Sequence, residues 1–311
     1  MANILVTGGA GYLGSIMVPA LLAEGHQVTV IDNFMYRQSS LSGCCADPNF
    51  EVVNGDVRND GTMKPLLARA DVIIPLAALV GAPLCNRDPI AATTTNKDAI
   101  ASMLKALSPA QRVLMPVTNS GYGVGEAGKH CTEETPLRPI SRYGIDKVEA
   151  ERMVLERENS ISFRLATVFG MAPRLRIDLL VNDFVYRAVT DRFVVLFEGH
   201  FKRNYIHIRD VTRAFQHGIR NFEAMRGQPF NVGLSDANLS KIELCQRIQQ
   251  QVPGFVYLDA PVGEDPDKRD YIVSNAKIEA TGFAPAHSLD AGIAELIKGF
   301  SMIRNSIYGN V

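Results

Sequence analysis

The stretch Asn3-Ile-Leu-Val-Thr-Gly-Gly-Ala-Gly-Tyr-Leu-Gly14 decides how this chain folds. Ile4 to Val6 form a short apolar run suited to a buried strand, and Gly8, Gly9, Gly11 and Gly14 crowd the turn behind it. Segment 15–24 then carries Ile16, Leu21 and Leu22 at helical spacing. Strand, glycine turn and helix in this order are what a pyrophosphate needs. Glycines let the backbone approach the ligand, and the N-terminal end of a helix turns its free N–H groups toward negative charge. Two overlapping frames fit, Gly9-x-Gly11-x-x-Gly14 and Gly8-x-x-Gly11-x-x-Gly14. The next apolar run, 27–31, ends at Asp32. That is close to the spacing of about 20 residues at which an acid takes the ribose hydroxyls of a dinucleotide. An acid there also repels the 2′-phosphate of NADP, so NAD is the expected cofactor.

With 311 residues the chain is long enough for one large α/β unit or two smaller domains, each with a substantial core. A formal net charge of -1 without a basic block argues against nucleic acid as the main partner. No apolar run approaches the roughly 18 residues that cross a bilayer. The first strand begins too near the N-terminus for a visible signal peptide, so a cytoplasmic protein without membrane partners is expected. The five cysteines, Cys44, Cys45, Cys85, Cys131 and Cys245, are an odd set without metal-ligand spacing. Reduced thiols and no metal are expected.

Strand-like runs continue at 50–53, 71–76, 112–117 and 161–168, with helical stretches at 61–68, 89–107 and 143–158 between them. Continuously apolar strands that alternate with helices predict a Rossmann-type, doubly wound parallel α/β sheet. After Gly170 the rhythm breaks: helices at 178–190, 210–222 and 240–251, and short strands at 205–207 and 230–232. Residues 1–170 are therefore expected to form the NAD-binding domain, with 203–234 returning to it. Residues 171–311 are expected to be mainly a smaller mixed α/β substrate-binding part, with a Pro/Asp-rich loop at 259–267. Pro19 conflicts with its helix, where it costs about 3 kcal/mol and predicts a kink.

Two further features carry chemistry. Tyr143 and Lys147 are four apart at the start of a predicted helix, on one face and one turn apart. An ammonium near a phenol favours the phenolate, so the lysine is expected to lower the tyrosine pKa and make a general base. Thr118-Asn-Ser-Gly-Tyr-Gly123 follows a predicted strand, which sets its hydroxyls at the strand's C-terminal end beside the cofactor crevice.

Together these features resemble the extended short-chain dehydrogenase/reductase family, and within it the NAD-dependent nucleotide-sugar epimerases and dehydratases. The resemblance also rests on Asn54-Gly-Asp56-Val57, Leu76-Ala77-Ala78, Asn96, Phe163-Arg164-Leu165, Arg203-Asn-Tyr205-Ile-His207 and Arg269. It implies that Gly8, Gly11, Tyr12, Leu13 and Gly14 hold the pyrophosphate, Asp32 and Asn33 the adenosine ribose, and Asp56 and Val57 the adenine. Leu76, Ala77 and Ala78 would line the way to the nicotinamide, Asn96 would support that site, and Lys147 would bind the nicotinamide ribose. Thr118 would hydrogen-bond the reacting sugar hydroxyl, with Tyr143 as acid and base, and Asn119, Ser120 and Thr167 would also bind the substrate, Thr167 on its pyrophosphate side. Asn182, Arg203 and Arg269 would grip a sugar nucleotide's diphosphate. His207 is expected to be structural, and the resemblance implies a homodimer built on the helices at 89–107 and 143–158.

Departures from the family pattern narrow the reaction. Sugar-nucleotide 4,6-dehydratases carry Thr-Asp-Glu where this chain has Thr118-Asn119-Ser120, and 3,5-epimerases place a cysteine at the position of Ser120. Asparagine and serine cannot readily act as the missing acid and base. Pro75 replaces a histidine and Thr167 an asparagine that is frequent in 4-epimerases. The expected activity is C4 epimerisation through a transient 4-keto sugar. A 4-keto reductase, a 4-dehydrogenase, an unusual dehydratase and a non-catalytic NAD-sensing protein are the alternatives.

Overall fold

The computed structural model describes residues 1–126, 128–263 and 269–303. Its centre is a seven-stranded sheet in which every neighbouring pair runs parallel. The spatial order is Phe50–Asn54, Gln27–Asp32, Asn3–Thr7, Val72–Pro75, Arg112–Thr118, Ser160–Leu165 and Gln228–Val232. The winding reverses between Asn3–Thr7 and Val72–Pro75, and a crevice opens there beyond the strands' C-terminal ends.

Side chains alternate across a strand, and here both faces are covered. Ile4 and Val6 pack on one side with Met17, Val18 and Leu21 of helix Gly14–Ala23 and with Val211 and Phe215 of helix Ile208–Arg220. Leu5 faces the other side, against Met63 and Leu67 of helix Asp60–Ala68, Met103 of Ala99–Ala106 and Val154 of Arg142–Leu155. Double coverage is why the strands read as unbroken apolar runs.

The rest of the chain folds onto the first of these faces. Thr167–Phe169 pairs in parallel with Lys202–His207, which pairs antiparallel with Asn238–Ser240. Helices Leu180–Thr190, Lys241–Gln251 and Leu289–Met302 pack together and add Val185, Ile248 and Leu296 to the same core. Within 203–234 the chain moves from this smaller sheet, along helix Ile208–Arg220, into the seventh strand of the main sheet.

Three local expectations are revised. The run 161–168 is two strands, because the chain leaves the main sheet at Ala166, whose N–H donates to Val232 O at 2.9 Å, and Thr167–Phe169 joins the smaller sheet. Segment 89–107 is α-helical at both ends, but Thr94–Asp98 widens into a π turn. Helix Gly14–Ala23 continues through Pro19, which lies on its exposed side, so the proline does not end the helix. Of the loop expected at 259–267, residues 264–268 lie outside those described, and 259 closes the strand Val256–Asp259. No helix among the described residues is long and apolar enough to cross a membrane.

Candidate active site

A cavity of about 540 Å³ opens where the parallel strands end, and most of the residues singled out by sequence line it. At one end lies the glycine turn. Gly8 has φ +66°, and a Cβ there would stand 2.6 Å from the backbone of Ala77; one on Gly14 would stand 2.1 Å from Gly9 O. The turn thus needs glycine both for its path and for its close packing. Asp32 ends its strand beside it, its Oδ2 accepting from Ala10 N at 3.0 Å and its Oδ1 from Phe34 N at 2.8 Å. Burial raises the Asp32 pKa and these hydrogen bonds oppose the rise. Asn33, Asp56 and Val57 continue the wall, with Asp56 paired to Arg58 at 2.6 Å.

Leu76, Ala77 and Ala78 form the floor toward the middle of the cleft. Asn96 stands behind them, 1% exposed, at the π turn. Its Oδ1 accepts from Leu79 N at 2.8 Å and its Nδ2 donates to Leu79 O at 2.9 Å, so one side chain fixes both polar groups of that loop residue. Tyr12 and Leu13 also line the cleft, and the Tyr12 hydroxyl donates to Gly170 O at 2.7 Å.

At the other end Thr118, Ser120, Tyr143 and Lys147 share the same cavity. Tyr143 begins helix Arg142–Leu155, whose N-cap, Ser141, accepts from Gly144 N at 3.1 Å. Thr118 Oγ1 donates to Ser120 Oγ at 2.8 Å and accepts from Ser120 N at 3.1 Å, and Arg269 Nη1 also donates to Ser120 Oγ. Burial pushes the Tyr143 phenol up to about 12, against the pull of Arg176 and Arg269. Burial pushes the Lys147 ammonium down to about 8, opposed by Glu151. The expectation that Lys147 lowers the phenol is therefore revised. Desolvation outweighs attraction at Tyr143, and the cations that act on it come from across the cleft.

Thr167 and Arg269 reach the cavity, whereas three expected substrate contacts do not line it. Asn182 is fully buried, its Oδ1 accepting from Gly170 N at 3.0 Å and its Nδ2 donating to Arg176 O at 2.8 Å, so its polar groups are spent on the fold. Arg203 is 2% exposed and lies over the ring of Tyr271, the residue that takes the cleft-facing place. Asn119 is 1% exposed and does not line the cavity, although Thr118 and Ser120 on either side of it do. His207 is buried too, bonded to Glu295 at 3.0 Å and stacked on His287.

Sequence reasoning missed Arg174 and Arg176, which both line the cleft. Arg174 lies over the ring of Tyr36 at 4.7 Å, and Arg176 pairs with Asp178. Two arginines spaced by one residue just past a strand were the available signal. Among the described residues no cluster of His, Cys, Asp or Glu could hold a metal ion.

Residues 4–233 match the NAD dependent epimerase/dehydratase family, and this covers well over half of the chain. The protein belongs to that family. NAD is its cofactor, and the glycine cradle that any Cβ would fill fits that dinucleotide. UDP-glucuronic acid decarboxylase 2 of Arabidopsis thaliana is 28% identical over 327 residues, covering 99% of this chain and 69% of its own length. Among solved structures, UDP-glucose 4-epimerase of Thermotoga maritima with UDP-glucose superposes with a TM-score of 0.83 at 26% identity, covering 96% and 99% of the two chains. UDP-glucuronic acid 4-epimerase of Bacillus cereus, in complex with UDP-glucuronic acid and NAD, gives 0.81 at 22% identity over 96% and 99%, a likeness of fold. The enzyme thus has relatives that carry out more than one kind of reaction.

Proposed function

We propose that the enzyme is a nucleotide-sugar epimerase acting at C4 through a transient 4-keto sugar. The observation that carries this reading is the make-up of the reacting end of the cleft. Thr118, Ser120, Tyr143 and Lys147 stand together there, while the described carboxylates that line the cavity, Asp32, Asp56 and Asp88, have other work. Asp32 and Asp56 belong to the adenosine side, and Asp88 caps helix Pro89–Thr93 by accepting from Ala91 N. Loss of water across C5–C6 needs an additional acid and base, which this set lacks.

NAD, when bound, would supply the hydride chemistry at the sugar carbon. Gly8, Gly11, Tyr12, Leu13 and Gly14 would hold its pyrophosphate, Asp32 and Asn33 its adenosine ribose, and Lys147 its second ribose. Tyr143 Oη takes the proton from the sugar 4-hydroxyl and later gives it back. Thr118 and Ser120 orient that hydroxyl, and Arg269 offers forked donors to the diphosphate.

Decarboxylation is the second reading, favoured by relatives such as the Arabidopsis protein and by the arginines Arg176 and Arg269 in the cavity wall, which suit a sugar carboxylate. Mass spectrometry of sugar nucleotides incubated without added NAD separates the readings. A stereoisomer of unchanged mass supports epimerisation, loss of carbon dioxide supports decarboxylation, loss of water supports dehydration, and stoichiometric NADH means net oxidation. Tyr143→Phe is expected to lower turnover by at least about a hundredfold with NAD still bound; unchanged turnover removes the mechanism. We further propose a homodimer through the helical faces at 89–106 and 142–155, where Ile90 and Ile145 are exposed.

A further inference from the structure

We infer that the buried ion pair Glu151–Arg164 is a positioning device for Lys147, keeping the lysine charged inside the cleft. The inference rests on reading Tyr143 and Lys147 as the reacting pair. Tyr143, Lys147 and Glu151 follow at four-residue steps on helix Arg142–Leu155, so the carboxylate lies one turn behind the lysine. Lys147 is 4% exposed, Glu151 2% and Arg164 6%.

Arg164 holds the carboxylate as a fork, Nε donating to Oε1 and Nη2 to Oε2, both at 3.0 Å. Ser162 Oγ also donates to Oε1, at 2.5 Å. The other arm of Arg164, Nη1, donates to Tyr122 Oη and to Glu133 O, both at 3.1 Å, and Tyr122 Oη donates to Asn231 Oδ1 at 2.7 Å. The bonds to the carboxylate come from one strand, Ser160–Leu165, and its arginine is held in turn by Tyr122 and the Glu133 backbone, so the carboxylate is fixed in place. Apolar residues of like volume would stabilise the fold at least as well as a buried ion pair. What apolar residues would lack is the negative field.

Lys147 needs that field. Burial drives its ammonium toward the neutral form, and Glu151 is the charge that opposes this. The other charged groups around the helix do not substitute. Asp146 accepts from Thr93 Oγ1 at 3.1 Å, and Glu149 pairs with Lys97 at 3.2 Å on the outer face. Glu133 accepts from Asn231 N at 2.7 Å, beyond Arg164. Across the cleft Arg176 and Arg269 are cations and disfavour a charged lysine.

The test is a lysine side-chain ¹⁵N NMR titration of the NAD-loaded protein, with the Lys147 signal identified by its loss in Lys147→Arg. Glu151→Gln is expected to lower the Lys147 midpoint by about one unit, and the alkaline limb of the turnover profile with it. Glu151→Asp keeps the charge and is expected to restore the midpoint. Glu151→Gln strands a buried guanidinium, so Glu151→Gln/Arg164→Met removes both partners and preserves folding. A smaller fall in the same direction is expected there, because the Arg164 cation, which also disfavours the ammonium, is removed with the carboxylate. An unmoved Lys147 midpoint in either folded variant overturns the inference, even where activity is lost, because it shows a purely structural pair. The lysine signal needs no substrate, so an error about the sugar leaves this result readable.

Discussion

At the scale of single residues, Lys147 shows how the site works against the fold. Its pKa is about 8 where an exposed lysine has 10.5, so folding disfavours its charged form. The penalty is complete below pH 8 and disappears above pH 10.5. Lys147→Met is expected to stabilise the protein at pH 7 by on the order of 2–3 kcal/mol while abolishing turnover. Urea unfolding at pH 7 and pH 10 measures this; a gain that fails to shrink at the higher pH contradicts the assignment. Residue identity was enough to place Tyr143, Lys147 and Thr118 on the cavity wall, because spacing on a helix and position after a strand carry geometry. It was not enough for Asn119, which is buried outside the cavity although both of its neighbours line it. Nor was it enough for Arg203, whose charge lies buried over Tyr271 rather than in the cleft.

Among the elements, the glycine turn and the π turn do related work. The turn brings backbone close to where the cofactor lies, and its helix is locked by contacts that leave no room for a methyl group. Gly8→Ala meets both the positive φ and the backbone of Ala77, neither of which yields cheaply. It is expected to cost about 2–4 kcal/mol of stability and to purify with little NAD, read by mass spectrometry of the denatured protein; a full complement of NAD would contradict the cradle. The π turn at Thr94–Asp98 carries Asn96, which grips the loop at Leu79. Helix periodicity predicts that helix but not its widening, because Thr94-Thr-Asn-Lys-Asp98 carries no apolar residue to mark the change of register. Pro19, too, stays inside its helix, on the side that faces solvent. The sequence shows a missing donor, and only the packed helix shows that this side faces solvent.

For the whole molecule, the two halves of the chain meet around the cleft. Tyr12 from the glycine turn bonds to Gly170, and Arg174 lies over Tyr36 from the loop after the second strand. The proposed dimer is tested at this scale. Ile90, 78% exposed, stands on the helical face assigned to the partner. Ile90→Glu is expected to shift the mass by light scattering from two chains to one, without loss of fold. A wild-type protein that is already a monomer would refute the assembly.

By itself the sequence determined the parallel doubly wound sheet and the cofactor, and it singled out the pair proposed to react. Each of these depends on short-range order: apolar runs bounded by glycine, an acid at the end of a strand, two side chains one helical turn apart. Only the tertiary structure decided which polar side chains meet in the cleft. It took Asn182 and Arg203 into the fold, brought Arg174 and Arg176 to the site, and set Glu151 and Arg164 beneath Lys147. Burial and long-range contact set the charge of a group, and neither is written in the residues beside it.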